Sequence, residues 1–140
     1  MAFLDEIGGK PTVEKVHTIL YSKLLADPWL KHFFVGLERW FLEEQQTDFM
    51  TTLFGGPKAY FGKFPMEAHK HMFITEEIFM ARHKILEKSL IEGNVSEEHR
   101  KRWLDYDMGM KKAIVKGTVS ECEQRYASEE VLVVSKPPNY

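Results

Sequence analysis

The chain has 140 residues, 44% of them hydrophobic, and a net charge of −2, which fits one domain with a sizeable core. No basic stripe is concentrated in the sequence, so we expect no nucleic-acid partner. No apolar run approaches about 18 residues and no leader peptide is recognisable, so we expect a soluble cytoplasmic protein without a membrane partner. The single cysteine, Cys122, excludes an internal disulfide and fits a reducing compartment.

The first half of the sequence carries two amphipathic helical patterns. The first predicts a helix over residues 12–26, which Asp27-Pro28 terminates. The second predicts a helix over residues 38–54, which Gly55-Gly56-Pro57 terminates. Residues 29–34 predict one further helical turn between them. The predicted inner faces consist of Val13, Val16, His17, Leu20, Tyr21 and Leu24 in the first helix, and Leu42, Gln46, Phe49 and Leu53 in the second.

The second half predicts a loop, a brief helix and two longer helices. Residues 58–65 form the loop, and His69 lies on the brief helix. Thr75 is the predicted N-cap of a helix ending near residue 92, because acidic residues follow it directly. Ser96 is the predicted N-cap of a last helix reaching residue 116, whose buried side includes Trp103, Met108 and Ile114.

The end of the chain differs in composition from the rest. We predict a domain over residues 1–118 and a C-terminal extension over residues 119–140, with a β-prone stretch at 131–134 and two prolines near the end. The sequence leaves two outcomes open, namely that the extension packs on the domain or that it is mobile.

The six histidines do not form a pattern typical of zinc proteins. His69 and His71 are two residues apart, so on a helix they point in different directions, and no H-E-x-x-H motif is present. His17 lies one helical turn before Tyr21, and we interpret it as a boundary histidine rather than a second ligand. The other three histidines, His32, His83 and His99, are interpreted as surface or boundary residues.

Gln46 and Tyr21 are polar residues within apolar stripes. A buried amide without a partner costs about 1–3 kcal/mol, and a buried tyrosine hydroxyl usually has a partner. Two explanations remain open from the residues alone: a hydrogen bond within the core, or a ligand that both groups contact.

Several short motifs, taken together in order and spacing, resemble those of the truncated haemoglobins, which are small two-over-two helical globins. These motifs lie within residues 3–116 and comprise Leu4-Asp5-Glu6-Ile7-Gly8-Gly9, Leu20-Tyr21-Ser22-Lys23-Leu24-Leu25-Ala26-Asp27-Pro28, Phe33-Phe34, Gly55-Gly56-Pro57, Ala68-His69-Lys70 and Ile74-Thr75. The resemblance implies an all-α globin domain, with helices B and E packed over G and H around haem b. Phe34, Leu42 and Gln46 are similar to group I of the family.

The resemblance also implies roles for individual residues. His69 matches the proximal histidine that ligates the iron, and Tyr21 and Gln46 match distal residues that act on the bound gas. The remaining implied haem contacts are Phe34, Leu42, Gln45, Phe49, Lys63, Met72, Phe73, Phe79 and Arg82. Lys63, Arg39 and Arg82 are candidate partners of the haem propionates.

Two residues depart from the family pattern. His71 stands where the family often has a small residue. Arg82 falls near a position that is usually apolar or tryptophan, so either it reaches a haem propionate or the alignment shifts by one residue there.

By this resemblance the chain binds dioxygen, nitric oxide and carbon monoxide at haem iron. Two distal donors would slow dioxygen escape by about tenfold to several thousandfold, which opposes delivery and favours chemistry on the bound gas. The function expected is turnover of nitric oxide, by oxidation to nitrate with an external reductase, or of reactive oxygen species. The alternatives are an oxygen store or gas sensor, a weak peroxidase, or a haem-free helical module. We expect a monomer or weak dimer.

Overall fold

The computed structural model describes residues 1–140, and all its regular secondary-structure elements are helices. A single parallel bridge between Met72 and Leu132 is its only β-pairing. None of the helices combines the length and hydropathy that a membrane span requires. The α-helices are α1 (Phe3–Glu6), α2 (Lys10–Leu24), α3 (Arg39–Leu53), α4 (Pro65–His69), α5 (Glu76–Glu92), α6 (Glu97–Gly109) and α7 (Lys111–Ile114), with 3-10 turns at Leu30–Phe33 and Val119–Glu121.

The long helices pack as two pairs, and this confirms the all-α prediction. α2 packs against both α3 and α5, and α5 packs against α6. Each large apolar side chain buried between them contributes about 1.5–3 kcal/mol to folding. The most deeply buried of these side chains are Val13, Val16, Leu20, Leu24, Met50, Phe54, Phe79, Leu90 and Trp103.

Side-chain caps fix the start of both C-terminal helices as predicted. The Thr75 hydroxyl accepts a hydrogen bond from the Ile78 backbone N–H at 3.3 Å, and the Ser96 hydroxyl accepts one from His99 N–H at 3.3 Å. Each cap satisfies a donor that the first helical turn leaves free.

Three details of the sequence-based assignment were wrong. The last helix is not continuous to residue 116, because α6 ends at Gly109, a poor helix former, and α7 begins at Lys111. Met108 is 37% exposed and therefore does not belong to the buried side. Leu53 is 39% exposed, because Met50 and Phe54 take the core-facing positions at the end of α3.

His17 is not a boundary residue, which corrects the sequence-based interpretation. It is buried on α2, its Nδ1 lies 2.8 Å from the Thr47 hydroxyl, and its ring packs edge-on against Trp103. Burial lowers the pKa of His17 to about 3, with a smaller contribution from the charge of Arg82, because the interior disfavours the imidazolium. The buried ring is therefore neutral at pH 7.

The burial of His17 predicts a stability that falls in mild acid. Its pKa is lower in the folded chain than in the unfolded chain, so between about pH 6.5 and pH 3 the unfolded state binds the extra proton. Because of this residue, we expect the free energy of unfolding to be about 2 kcal/mol lower at pH 5 than at pH 7. Urea denaturation at the two pH values measures it. His17→Asn should remove this increment and the exposed His32→Asn should retain it, whereas equal pH slopes in all three proteins would contradict the prediction.

Candidate functional site

A largely apolar cavity of about 510 Å³ opens between α2, α3, α4 and α5. Eighteen of the 26 residues that line it are hydrophobic, which suits a flat apolar ligand with a few polar contacts. Most of the predicted site residues meet here: Tyr21, Phe34, Leu42, Gln45, Gln46, Phe49, Lys63, His69, Met72, Phe79 and Arg82 all line it. Phe73 does not line the cavity, and its backbone N–H instead donates to Leu132 O at 2.8 Å.

The geometry of His69 suits a metal ligand. Pro65 begins α4, and its carbonyl oxygen accepts a hydrogen bond from His69 Nδ1 at 2.7 Å. Because a carbonyl can only accept, Nδ1 carries the proton and Nε2 keeps a free lone pair. Burial lowers the pKa of His69 to about 4, although the Pro65 hydrogen bond acts in the opposite direction. The ring is thus a neutral imidazole with its tautomer fixed, the form in which histidine ligates metals.

Tyr21 and Gln46 bring two hydrogen-bonding groups to the wall formed by α2 and α3. Burial raises the pKa of Tyr21 to about 12, so its phenol keeps its proton and can donate. The Tyr21 ring packs edge-on against Phe34, with centroids 5.9 Å apart. The hydrogen bonds between α2 and α3 join other residue pairs, among them His17 to Thr47 and Thr18 to Glu43. None joins Tyr21 to Gln46, so the core hydrogen bond that the sequence left open is not present.

Arg82 is anchored inside the cavity wall by a buried carboxylate. Its guanidinium pairs with Asp107, and Asp107 Oδ2 also lies 2.6 Å from His83 Nδ1. Burial alone would raise the pKa of Asp107, but the charge of Arg82 and the hydrogen bonds from His83 and Arg82 hold it below its usual range. The guanidinium carbon also lies 5.4 Å from the centroid of the Phe79 ring. Arg82 therefore lines the cavity with its charge already paired.

The sequence analysis did not identify Asp107. The sequence nevertheless indicates a buried ion pair. Asp107 follows Trp103 by four residues and so lies on the same buried face of α6. An unpaired carboxylate on that face would be costly, so a cationic partner is expected.

Breaking this cluster should destabilise the fold. Asp107→Asn removes the anion and leaves the Arg82 charge without a partner in a mostly buried position, so we expect a loss of about 2–4 kcal/mol in unfolding free energy. Chemical denaturation at pH 7 measures the loss. The exposed Asp105→Asn on the same helix is the control and should stay within about 0.5 kcal/mol of wild type. If both variants lower the free energy of unfolding by the same small amount, the buried pair does not stabilise the fold.

The other two candidate partners of the haem propionates, Lys63 and Arg39, differ in their position relative to the cavity. Lys63 lines the cavity, and its carbonyl accepts a hydrogen bond from the Tyr60 hydroxyl. Arg39 lies outside the cavity. Its guanidinium donates hydrogen bonds to Glu43, to the Ser22 hydroxyl and to a backbone carbonyl of α2. Two further lining residues, His71 and Arg125, were not predicted from the sequence as parts of the site.

Comparisons with known proteins identify the family of this chain. The sequence profile of the bacterial-like globins matches residues 2–118. The chain belongs to this family. A group 1 truncated hemoglobin from Tetrahymena pyriformis is 38% identical over 93 residues, covering 66% of this chain and 77% of the relative. The group 1 truncated hemoglobin GlbN of Nostoc commune is 31% identical over 111 residues, covering 79% of this chain and 94% of the relative.

Solved truncated haemoglobins have the same fold. The Fe(III) form of the Tetrahymena pyriformis protein superposes with a TM-score of 0.77 at 31% identity, covering 84% of this chain and all of that chain. Hemoglobin from Chloroflexus aurantiacus superposes with a TM-score of 0.75 at 26% identity, covering 84% and 99%. The expected truncated-haemoglobin family and fold are therefore confirmed, and a globin of this family binds haem and diatomic gases such as dioxygen.

The residues of this truncated haemoglobin fit a haem group. The cavity is lined mainly by apolar side chains, His69 offers an unprotonated Nε2, and His71 Nδ1 is buried at the wall without a hydrogen-bond partner. An unpartnered buried nitrogen is costly, so a polar group that enters the cavity would relieve it. Haem iron suits a neutral imidazole ligand, and a porphyrin supplies both an apolar body and two carboxylates.

Proposed function

We propose that this globin holds haem b through His69 and oxidises nitric oxide to nitrate with dioxygen. The observation that carries the proposal is the presence of two donors, the Tyr21 phenol and the Gln46 amide, in a largely apolar cavity that is also lined by His69. Bound haem would supply the iron at which the gas ligand sits.

The distal donors would act by holding a ligand that gains negative charge. Dioxygen draws electron density when it binds, whereas carbon monoxide draws little, so hydrogen bonds from Tyr21 and Gln46 favour dioxygen. Each such bond contributes about 1.5–3 kcal/mol inside a dry cavity. Phe34, Leu42 and Phe49 would exclude water and so keep these bonds strong, which opposes dioxygen release and supports its use as a reactant.

The reaction requires an electron donor outside this chain. One nitric oxide, one dioxygen and one electron give one nitrate ion, so each turnover consumes an electron. The sequence contains no glycine-rich dinucleotide motif and no flavin motif. We therefore propose an external reductase as partner and a cytoplasmic setting, which the single cysteine supports.

Stopped-flow mixing of the dioxygen-loaded protein with nitric oxide tests the reaction. We expect the spectrum to change within the mixing time and one nitrate to form per haem. Tyr21→Phe combined with Gln46→Leu should reduce the nitrate yield, because dioxygen escapes before it reacts. Slow spectral change without nitrate would reject the reaction and leave an oxygen store or gas sensor, and peroxide turnover with a reducing dye would instead indicate a peroxidase.

A further inference from the structure

The C-terminal segment, residues 119–140, lies beyond the family match and packs directly beside the proximal histidine. Leu132 N–H donates to His71 O at 2.8 Å, and Phe73 N–H donates to Leu132 O at 2.8 Å. Glu123 N–H donates to Lys70 O at 2.8 Å. These three bonds fix the segment along residues 70–73, which immediately follow His69.

The far end of the segment is attached to Asp27 and Trp29, which follow α2. Trp29 Nε1 donates to Val134 O at 3.3 Å, and the Tyr140 hydroxyl donates to Asp27 at 2.8 Å. The Trp29 and Tyr140 rings pack edge-on with centroids 5.0 Å apart. The segment therefore connects the residues after His69 to the turn that follows α2.

Arg125 is the residue by which this segment reaches the cavity. It lines the cavity together with Lys63 and His71. Glu129 accepts from Arg125 Nε at 3.1 Å and from Nη2 at 2.8 Å, which leaves Nη1 available for another acceptor.

The charges and the unpaired nitrogen at this side of the cavity suit a carboxylate. Lys63 and Arg125 supply two positive charges, and Glu129 supplies one negative charge. His71 is 5% exposed, and its Nδ1 is the only buried side-chain polar atom without a partner. A ligand with an apolar body and a carboxylate at this side would pair the cation and could accept a hydrogen bond from His71.

We propose that the C-terminal segment is part of the haem site, with Arg125 binding a haem propionate and the pairing of Leu132 with residues 71–73 holding Arg125 in place. This inference rests on the haem site described above. It assigns a cofactor contact to a part of the chain that the family profile does not cover.

The rate of haem transfer from the full-length protein to an excess of a haem-scavenging globin tests the Arg125 contact. We expect Arg125→Gln to accelerate haem loss about threefold to tenfold, as for a partly exposed ion pair, and Arg125→Lys to stay within about twofold of wild type. With haem dimethyl ester, whose propionates carry no charge, wild type and Arg125→Gln should lose the ligand at the same rate. Equal rates with haem itself, or the same acceleration with the ester, would overturn the contact.

A matched pair of proline variants tests the segment itself. Leu132→Pro removes the N–H that donates to His71, whereas Val133→Pro changes a neighbouring exposed residue whose N–H makes no such bond. We expect haem loss about fivefold or more faster for Leu132→Pro and within about twofold of wild type for Val133→Pro. Equal rates in both variants would reject the segment's role. A wild-type chain that forms no haem complex would instead reject the haem site, so the two failures are distinguishable.

Discussion

Tyr21→Phe and Gln46→Leu are each expected to accelerate dioxygen dissociation by about 10- to 100-fold. Each change removes one hydrogen bond worth about 1.5–3 kcal/mol, and about 1.4 kcal/mol corresponds to a factor of ten. The double variant should approach several thousandfold, less any coupling between the two groups, since they contact the same ligand. Flash photolysis or stopped-flow displacement of dioxygen by carbon monoxide gives these rates.

Two controls separate hydrogen bonding from general damage to the cavity. Carbon monoxide dissociation should change far less than dioxygen dissociation in the same variants, because carbon monoxide gains little negative charge. Gln45→Leu alters the same residue type one position earlier on α3, and it should change the dioxygen rate by about twofold at most. A comparable effect at Gln45, or equal effects on both gases, would contradict the donor role of Tyr21 and Gln46.

His69→Gly is expected to lose haem more than about 100-fold faster than wild type. Loss of a residue that only hydrogen-bonds to a metal ligand commonly lowers metal affinity by about 10- to 100-fold, and removal of the ligand itself should lower it further. The space left by the imidazole should accept free imidazole, so adding it in solution should restore a histidine-type spectrum and slow the loss. Transfer of haem to a scavenging globin measures the rate.

The exposed His32→Gly is the control for this experiment, because His32 lies outside the cavity. It should retain haem like wild type, and imidazole should leave its spectrum unchanged. Retention of haem by His69→Gly, with an unchanged spectrum, would assign the axial ligand to another residue.

Local signals in the sequence predicted the helices and their caps well. Thr75 and Ser96 cap helices because their hydroxyls satisfy backbone donors within the same turn. Pro65, which was assigned to the loop, instead begins α4, since proline is well suited to the first position of a helix. The family was identified from the resemblance of short motifs, because the helical periodicity of apolar residues does not distinguish one helical family from another. Most of the expected haem contacts also line the cavity, because the family motifs fix their positions on α2 to α5.

Contacts between distant parts of the chain could not be predicted. His17 was misinterpreted because its partner, Thr47, lies on another helix. The local sequence does not show that both α3 and α5 pack against α2 and so bury this histidine. Arg125 lies beyond the family motifs, and only three-dimensional packing brings its segment beside His71. Phe73, an expected haem contact, does not line the cavity, and its backbone N–H donates to Leu132 in the C-terminal segment.

Titration of the purified, haem-free chain with haemin, followed by its absorption spectrum, tests the central claim most directly. We predict saturation at one haem per chain, a Soret band, and a ferrous carbonyl spectrum typical of a histidine-ligated haem, which His69→Ala should lack. A titration without a saturable Soret band, or an identical carbonyl spectrum in wild type and His69→Ala, would contradict the account.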